Sequence, residues 1–162
     1  MLKSINLTKS LLSGTDDDII NIVKEPQNME YEGTTFTIHE NMYRSRLAKR
    51  TLKKKGYFVV FWEKDVNHCN QPYAYSESPD KIMISIIDKD LKGQFIFPKS
   101  LLLEKRILRT INNKGKMAIR VYPSWEKPLN NAAKKTQAWQ APYFINVSNE
   151  IDWRRLRELY FS

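Results

Sequence analysis

Asp80 and Lys99 are residues whose types and spacing could do chemistry. Asp80 follows Pro79 and immediately precedes Lys81–Asp88, an apolar run that reads as a strand. After a turn at "DKDLKG", the next strand, "QFIF", runs into Phe97-Pro98-Lys99. Metal-dependent nucleases use such a layout, with an acid opening one strand and an acid-x-lysine on the next. The acids hold Mg²⁺, which activates water and steadies the leaving oxygen, while the lysine stabilises charge near the phosphate. Asp80, Gln94 and Lys99 are therefore the candidate catalytic set, with Asp80 as the metal ligand and Mg²⁺ as the cofactor such a site would take. The second half is broken: Phe97 stands where the acid should be, and Gln94 offers only a neutral oxygen. Asp80 reads equally well as a turn cap at a strand start. Lys99 falls at the start of a predicted helix, where the dipole disfavours a cation and a bound anion would relieve the conflict.

Other chemistries find little support. The two histidines, His39 and His68, sit beside no recognisable nucleophile, and His68 adjoins the single cysteine, Cys69. That is too few ligands for a structural zinc site. No G-x-G-x-x-G or P-loop provides a cradle for a nucleotide cofactor. One cysteine rules out an internal disulfide and points to a reducing cytoplasm. No apolar run approaches the roughly 20 residues that span a bilayer, so no membrane role is expected. The first residues, MLKSINLTKSLLSGTDDD, are too polar for a convincing signal peptide.

Charge says more. The 162 residues carry a net +9, unevenly spread. Residues 1–40 hold three basic and seven acidic groups, a net of −4, and the remainder holds 24 and 11, a net of +13. Such a field concentrates polyanions, and nucleic acid is the first partner expected, DNA ahead of RNA. "RSRLAKRTLKKK", Arg44–Lys55, has seven basic residues in twelve and no acid. Edge strands use lysine to block pairing, but seldom this densely. The run reads as a phosphate-contacting track through Lys49, Arg50, Lys53, Lys54 and Lys55. A second stretch, "KMAIRVYPSWEKPLNNAAKKTQAWQ", adds Lys116, Arg120, Lys134 and Lys135. Ala132, Thr136, Trp139 and Tyr143 recur at helical spacing and should face the core, which leaves Gln137 and Gln140 as amide donors for phosphate or base edges. Trp125, between two prolines, is either a plug under its loop or a stacking platform.

These residues need elements to hold them. "DDDIINIVKEP" predicts a helix, with acids in its first turn and Pro26 ending it. "TTFTIHE" alternates as a strand. Tyr57–Trp62 is a continuous apolar run and reads as a central, two-sided strand. Residues 66–79 read as a loop. "KIMISIID" and "QFIF" are strands, and "SLLLEKRIL" is a helix opened by Pro98. "MAIRVYP" is a strand, "LNNAAKKTQAWQ" a helix capped by Asn130 or Asn131, and "IDWRRLRELYF" a last amphipathic helix. The fold class expected over residues 1–162 is a single mixed α/β (α+β) domain, one central mixed sheet flanked by helices.

The strings "GQFIFPKSLLLEK", "KGKMAIRVYPSW" and "KKTQAWQAPYF", with "RLAKRTLKKKGYFVVFW" upstream, resemble the MepB family of small bacterial proteins. The resemblance covers roughly residues 30–145, with Leu52 where the family's proline is expected and Tyr57 where glutamine is. It implies a fold distantly similar to the PD-(D/E)xK endonucleases, restriction-endonuclease-like, with Asp80 and the Lys99 region on adjacent strands. It implies no settled activity. The leading expectation is a nucleic-acid-binding protein with weak or absent cleavage. The alternatives are an active Mg²⁺-dependent nuclease recruiting Glu30 or Glu32, and a protein-interaction partner with a basic face.

Overall fold

The computed structural model describes residues 2–162. In chain order the elements are α1 (Lys3–Leu12), β1 (Ile19–Lys24), β2 (Thr34–Ile38), β3 (Asn41–Leu47), β4 (Lys49–Arg50), β5 (Tyr57–Val60), β6 (Trp62–Lys64), β7 (Asn70–Pro72), β8 (Lys81–Asp88), β9 (Leu91–Pro98), α2 (Lys99–Glu104), β10 (Ala118–Val121), α3 (Asn131–Gln140), β11 (Phe144–Asn146) and α4 (Trp153–Phe161). Six strands form a mixed sheet in the order β1-β2-β3-β8-β9-β11. Within this sheet, among the described residues, only the β3–β8 pair is parallel. This is the mixed sheet flanked by helices that the sequence led us to expect.

Strand alternation divides the sheet into two faces. Met83, Ile96, Tyr43 and Phe36 point one way, onto Ile5, Leu11 and Leu12 of α1 and Leu156 and Tyr160 of α4. Ile82, Ile84, Ile86, Phe95 and Phe97 point the other way, onto Tyr57, Val59 and Phe61, the α2 leucines and Phe144. Burying one such side chain contributes about 1.5–3 kcal/mol, so the isoleucine-rich β8, buried along Lys81–Ile86, anchors both layers.

Several expectations are corrected. "IINIVK" is an edge strand, not a helix: it pairs antiparallel with β2, where its β-branched side chains fit a pleat. The first helix is instead α1. Its N-terminal turn is capped from far along the chain, the Glu32 carboxylate accepting from the Lys3 and Ser4 amides at 3.1 and 2.8 Å. The apolar run Tyr57–Trp62 is not a single two-sided strand of the main sheet, although β5 is the middle strand of a small one. It divides into β5 and β6, which belong to two small sheets, β10-β5-β4 and β6-β7. Its burial alternates because only Tyr57, Val59 and Phe61 meet the core. The loop predicted over 66–79 holds the short β7 and a single 3-10 turn.

Candidate nucleic-acid interface

The small sheet β10-β5-β4 builds the basic surface. Antiparallel pairing sets Arg120 opposite Phe58, and Lys49 opposite Phe58 from the other side. Between β4 and β5 the chain turns back through Thr51–Gly56. Gly56 has φ of +82°, and a Cβ there would stand 2.7 Å from the Tyr122 ring, so only glycine lets the turn close on β10. The Gly56 amide donates to Glu126 Oε2 at 3.0 Å, and Lys55 Nζ donates to the Lys127 carbonyl at 2.7 Å. Arg120 donates to the Lys55 carbonyl at 3.2 Å while its guanidinium lies 5.6 Å from the Phe58 ring centre. Lys53, Lys54 and Lys55 are thereby brought up to the start of α3.

The result is an open cleft of about 430 Å³, walled by Lys53–Lys55 and Arg120 on one side and Asn130, Ala132 and Thr136 on the other. Among the described residues no carboxylate lines it. Of the two candidate caps, Asn130 is the one used: its side chain accepts from the Ala133 amide at 2.8 Å. The amides of Asn131 and Ala132 have no protein acceptor among the described residues. Cationic side chains and the positive end of a ten-residue helix thus converge on one space.

The other candidate binding residues divide sharply. Lys116 is exposed just before β10, outside the cleft lining, and Lys134 and Lys135 are exposed on α3. Lys49 faces away, 3.9 Å from Glu30 and 4.8 Å from the Tyr31 ring. Arg50 is held in place: Asp88, the Tyr57 hydroxyl and Glu126 accept from it at 2.9, 2.7 and 2.7 Å. Burial first, and then the hydrogen bond to Asp88, push the Tyr57 hydroxyl up to about 12, so it stays a neutral part of this pin. Trp125 is the plug. Its indole donates to Tyr57 at 3.2 Å and its ring meets Phe144 edge-on at 5.6 Å.

Gln137 and Gln140 are not base-reading amides. Gln140 is fully buried, accepting from the Tyr122 amide and donating to the Arg120 carbonyl, each at 2.9 Å. It occupies the free edge of β10 as a neighbouring strand would. Gln137 donates to the Pro123 and Glu126 carbonyls at 2.9 and 3.3 Å. Of the expected stripe, Trp139 and Tyr143 do pack on the core, against the Phe97 ring at 5.6 and 6.1 Å, but Ala132 is exposed, and Ala133 and Gln140 are buried instead. A side-chain amide can replace a missing backbone partner, which apolar periodicity does not register.

At the strand ends, Asp80 and Lys99 do come together, the Lys99 amide donating to the Asp80 carbonyl at 3.0 Å. The Asp80 carboxylate already accepts from the Met42 amide at 2.8 Å, the capping role. Lys99 opens a helix of only six residues, and its ammonium lies 5.0 Å from the Tyr75 ring centre. Gln94 is on the opposite face of the sheet, fully buried, donating to Thr8 and Ser85 at 3.1 Å each and accepting from Tyr160. Glu32 caps α1, and Glu30 lies beside Lys49. No group of three or more His, Cys, Asp or Glu side chains gathers among the described residues. The residues at this end do not fit Mg²⁺, which needs several oxygen ligands in near-octahedral order.

Sequence reasoning missed a second charged cluster. Arg46 is fully buried and donates to both Glu25 oxygens at 3.2 and 2.9 Å, to Asn28 at 3.1 Å and to the Tyr73 hydroxyl at 3.0 Å. Arg44 binds Glu25 at 3.0 Å and stacks 3.5 Å above Tyr73. Burial opposes ionisation of Glu25, but the Arg46 charge and hydrogen bonds, with Arg44 and Tyr73, outweigh it and hold the carboxyl below its usual range. The available signal was the alternation of Arg44 and Arg46, which puts both on one face of β3.

The fold and the cleft define a small mixed α+β protein with a cationic groove. The model of the MepB-like family matches residues 25–146, and the chain belongs to that family. A solved structure described as the crystal structure of MepB is similar at 47% identity, with a TM-score of 0.82, across 93% of this chain and 100% of that one. No curated protein matches the chain. No helix among the described residues is long and apolar enough to cross a membrane.

Proposed function

We propose that the protein binds nucleic acid, DNA ahead of RNA, through phosphate contacts in the cleft between Lys53–Lys55, Arg120 and the start of α3, and that it does not cleave. One observation carries this reading: four cationic side chains and a helix N-terminus share a cleft with no carboxylate in its described lining. Lysine and arginine donors there match phosphate oxygens, and contacts of this kind carry no sequence information. The endonuclease-like architecture belongs to the same reading, as a scaffold whose strand-end acid has become a backbone cap. Any such ancestry bears on surface shape, not on chemistry, which depends on the site.

The test is fluorescence anisotropy on labelled DNA and RNA of mixed sequence over a range of salt. Affinity should fall linearly on a log–log plot as counterions are released, with little sequence preference. A flat salt response would sink the proposal. Incubation with Mg²⁺ or Mn²⁺ should leave single-stranded, double-stranded and branched substrates intact. Cleavage abolished by Asp80→Ala would instead establish a nuclease.

A further inference from the structure

Alternation along β5 and into β6 sends Tyr57, Val59 and Phe61 to the core and Phe58, Val60 and Trp62 to the opposite face. Those three are half-buried and belong to neither layer of the core. Tyr31 joins them, meeting Phe58 edge-on with ring centres 6.3 Å apart. Tyr31, Val60 and Trp62, with Met29 and Pro26, also line an open cavity of about 480 Å³. That volume falls within the roughly 300–1,000 Å³ of small-molecule sites.

Each exposed ring has a cation beside it. Arg120 lies 5.6 Å from the Phe58 centre, Lys49 4.8 Å from Tyr31 and Lys64 5.2 Å from Trp62. The one carboxylate in the described lining of the cavity, Glu30, stands 3.9 Å from Lys49. Arg120 also walls the phosphate cleft, so the aromatic face begins where that cleft ends. The backbone behind the rings is fixed by the buried charged cluster. Arg46 donates to the Val60 carbonyl at 3.0 Å, and Asn28, itself held by Arg46 at 3.1 Å, accepts from the Trp62 amide at 3.1 Å. Rings held on rigid strands need little ordering before a flat partner meets them. A neutral apolar partner would leave the cations without a role, and a polyanion lacking flat groups would leave the rings without one. Single-stranded nucleic acid supplies both, bases that stack and phosphates on either side of each base.

We propose that Phe58, Tyr31 and Trp62 form a stacking track for unpaired bases that continues the phosphate cleft, so that the ligand of this face is single-stranded nucleic acid. Arg120 at one end and Lys64 at the other supply charge for the flanking phosphates. In a duplex the bases are stacked on one another and present no face to the rings. Every base has a π-face, so the track tolerates any sequence. The inference rests on the phosphate-binding role of the neighbouring cleft.

The experiment measures fluorescence anisotropy at one fixed low salt with oligo-dT, an abasic strand of equal length and a duplex of mixed sequence. A length of about twelve nucleotides is within the site sizes of single-strand binders. The abasic strand keeps the phosphates and lacks the bases, so the unmodified protein should bind it about tenfold more weakly than oligo-dT, as the loss of one stacked base would give. Phe58→Leu and Trp62→Leu keep apolar bulk and remove the stacking face. Each should weaken oligo-dT about fivefold and leave the abasic strand and the duplex unchanged. The abasic comparison uses the unmodified protein and so holds whether or not a variant folds. Equal binding of oligo-dT and the abasic strand overturns the stacking track while leaving phosphate binding intact, and so does an oligo-dT affinity that neither leucine variant moves. Failure of the unmodified protein to bind any of the three overturns both readings.

Discussion

The single basic run "RSRLAKRTLKKK" ends in two opposite environments. At its start, Arg46 is fully buried and Arg44 nearly so, both committed to Glu25 and Tyr73. At its end, Lys53, Lys54 and Lys55 stand exposed at the mouth of a cleft lacking a described carboxylate. Arg50, between them, is half exposed yet held by two acids. The difference is chemical. Guanidinium is weakly hydrated and offers a planar fork of donors, so it can be buried if every donor finds an acceptor. Ammonium is strongly hydrated on a flexible stem and stays in water until an anion arrives. A cationic run therefore marks a binding surface only where the fold leaves its charges without acidic partners.

That contrast breaks most visibly at Arg46. Arg46→Ala would leave Glu25 buried without its main partner, a loss of about 3–5 kcal/mol. The melting temperature should fall by on the order of 10 °C in a chain of this size. A fall of only a degree or two would show that the cluster is not a stabilising centre.

A smaller effect should appear with pH. The folded carboxyl of Glu25 lies below its unfolded value, so its stabilisation is complete above the unfolded value and disappears as pH falls through the folded one. Each unit of difference corresponds to about 1.4 kcal/mol. Urea midpoints from pH 7 to pH 3 should therefore drop more steeply for the unmodified protein than for Glu25→Gln. Asp88, also held low by Tyr57 and Arg50, titrates in both proteins and cancels in the difference. Parallel curves would show that Glu25 is not the titrating group.

At the open end the stability effect should be smallest. Replacing Lys53, Lys54 and Lys55 together with glutamine should change stability by no more than about 0.5 kcal/mol per site. Binding should weaken, and the salt slope should fall by about one unit for each phosphate left without its lysine. A large drop in melting temperature with unchanged binding would move these lysines to the structural side of the comparison.

Local sequence determined much of the architecture. The apolar length of "KIMISIID", the alternation in "TTFTIHE", the asparagine cap of α3 and the turn at Gly56 are short-range features, and each appears where its residues place it. The basic surface was legible as well, because charge density needs no partner to be counted. Tertiary structure decided the rest. "DDDIINIVK" has helix-like acids at its start, but β2 was waiting to pair with it. Trp125, Gln137 and Gln140 look like ligand-facing groups until Tyr57 and the unfilled backbone positions of the 120–126 segment claim them. Adjoining strands carry Asp80 and Gln94 towards one another in sequence logic, yet Asp80 caps Met42 while Gln94 is buried against Thr8, Ser85 and Tyr160. Arg46 and Lys54 have the same charge, and only Glu25, Asn28 and Tyr73, brought from distant parts of the chain, separate a buried pin from a free cation. Burial and hydrogen-bond supply depend on residues far away in sequence, which is why they had to be read from the fold.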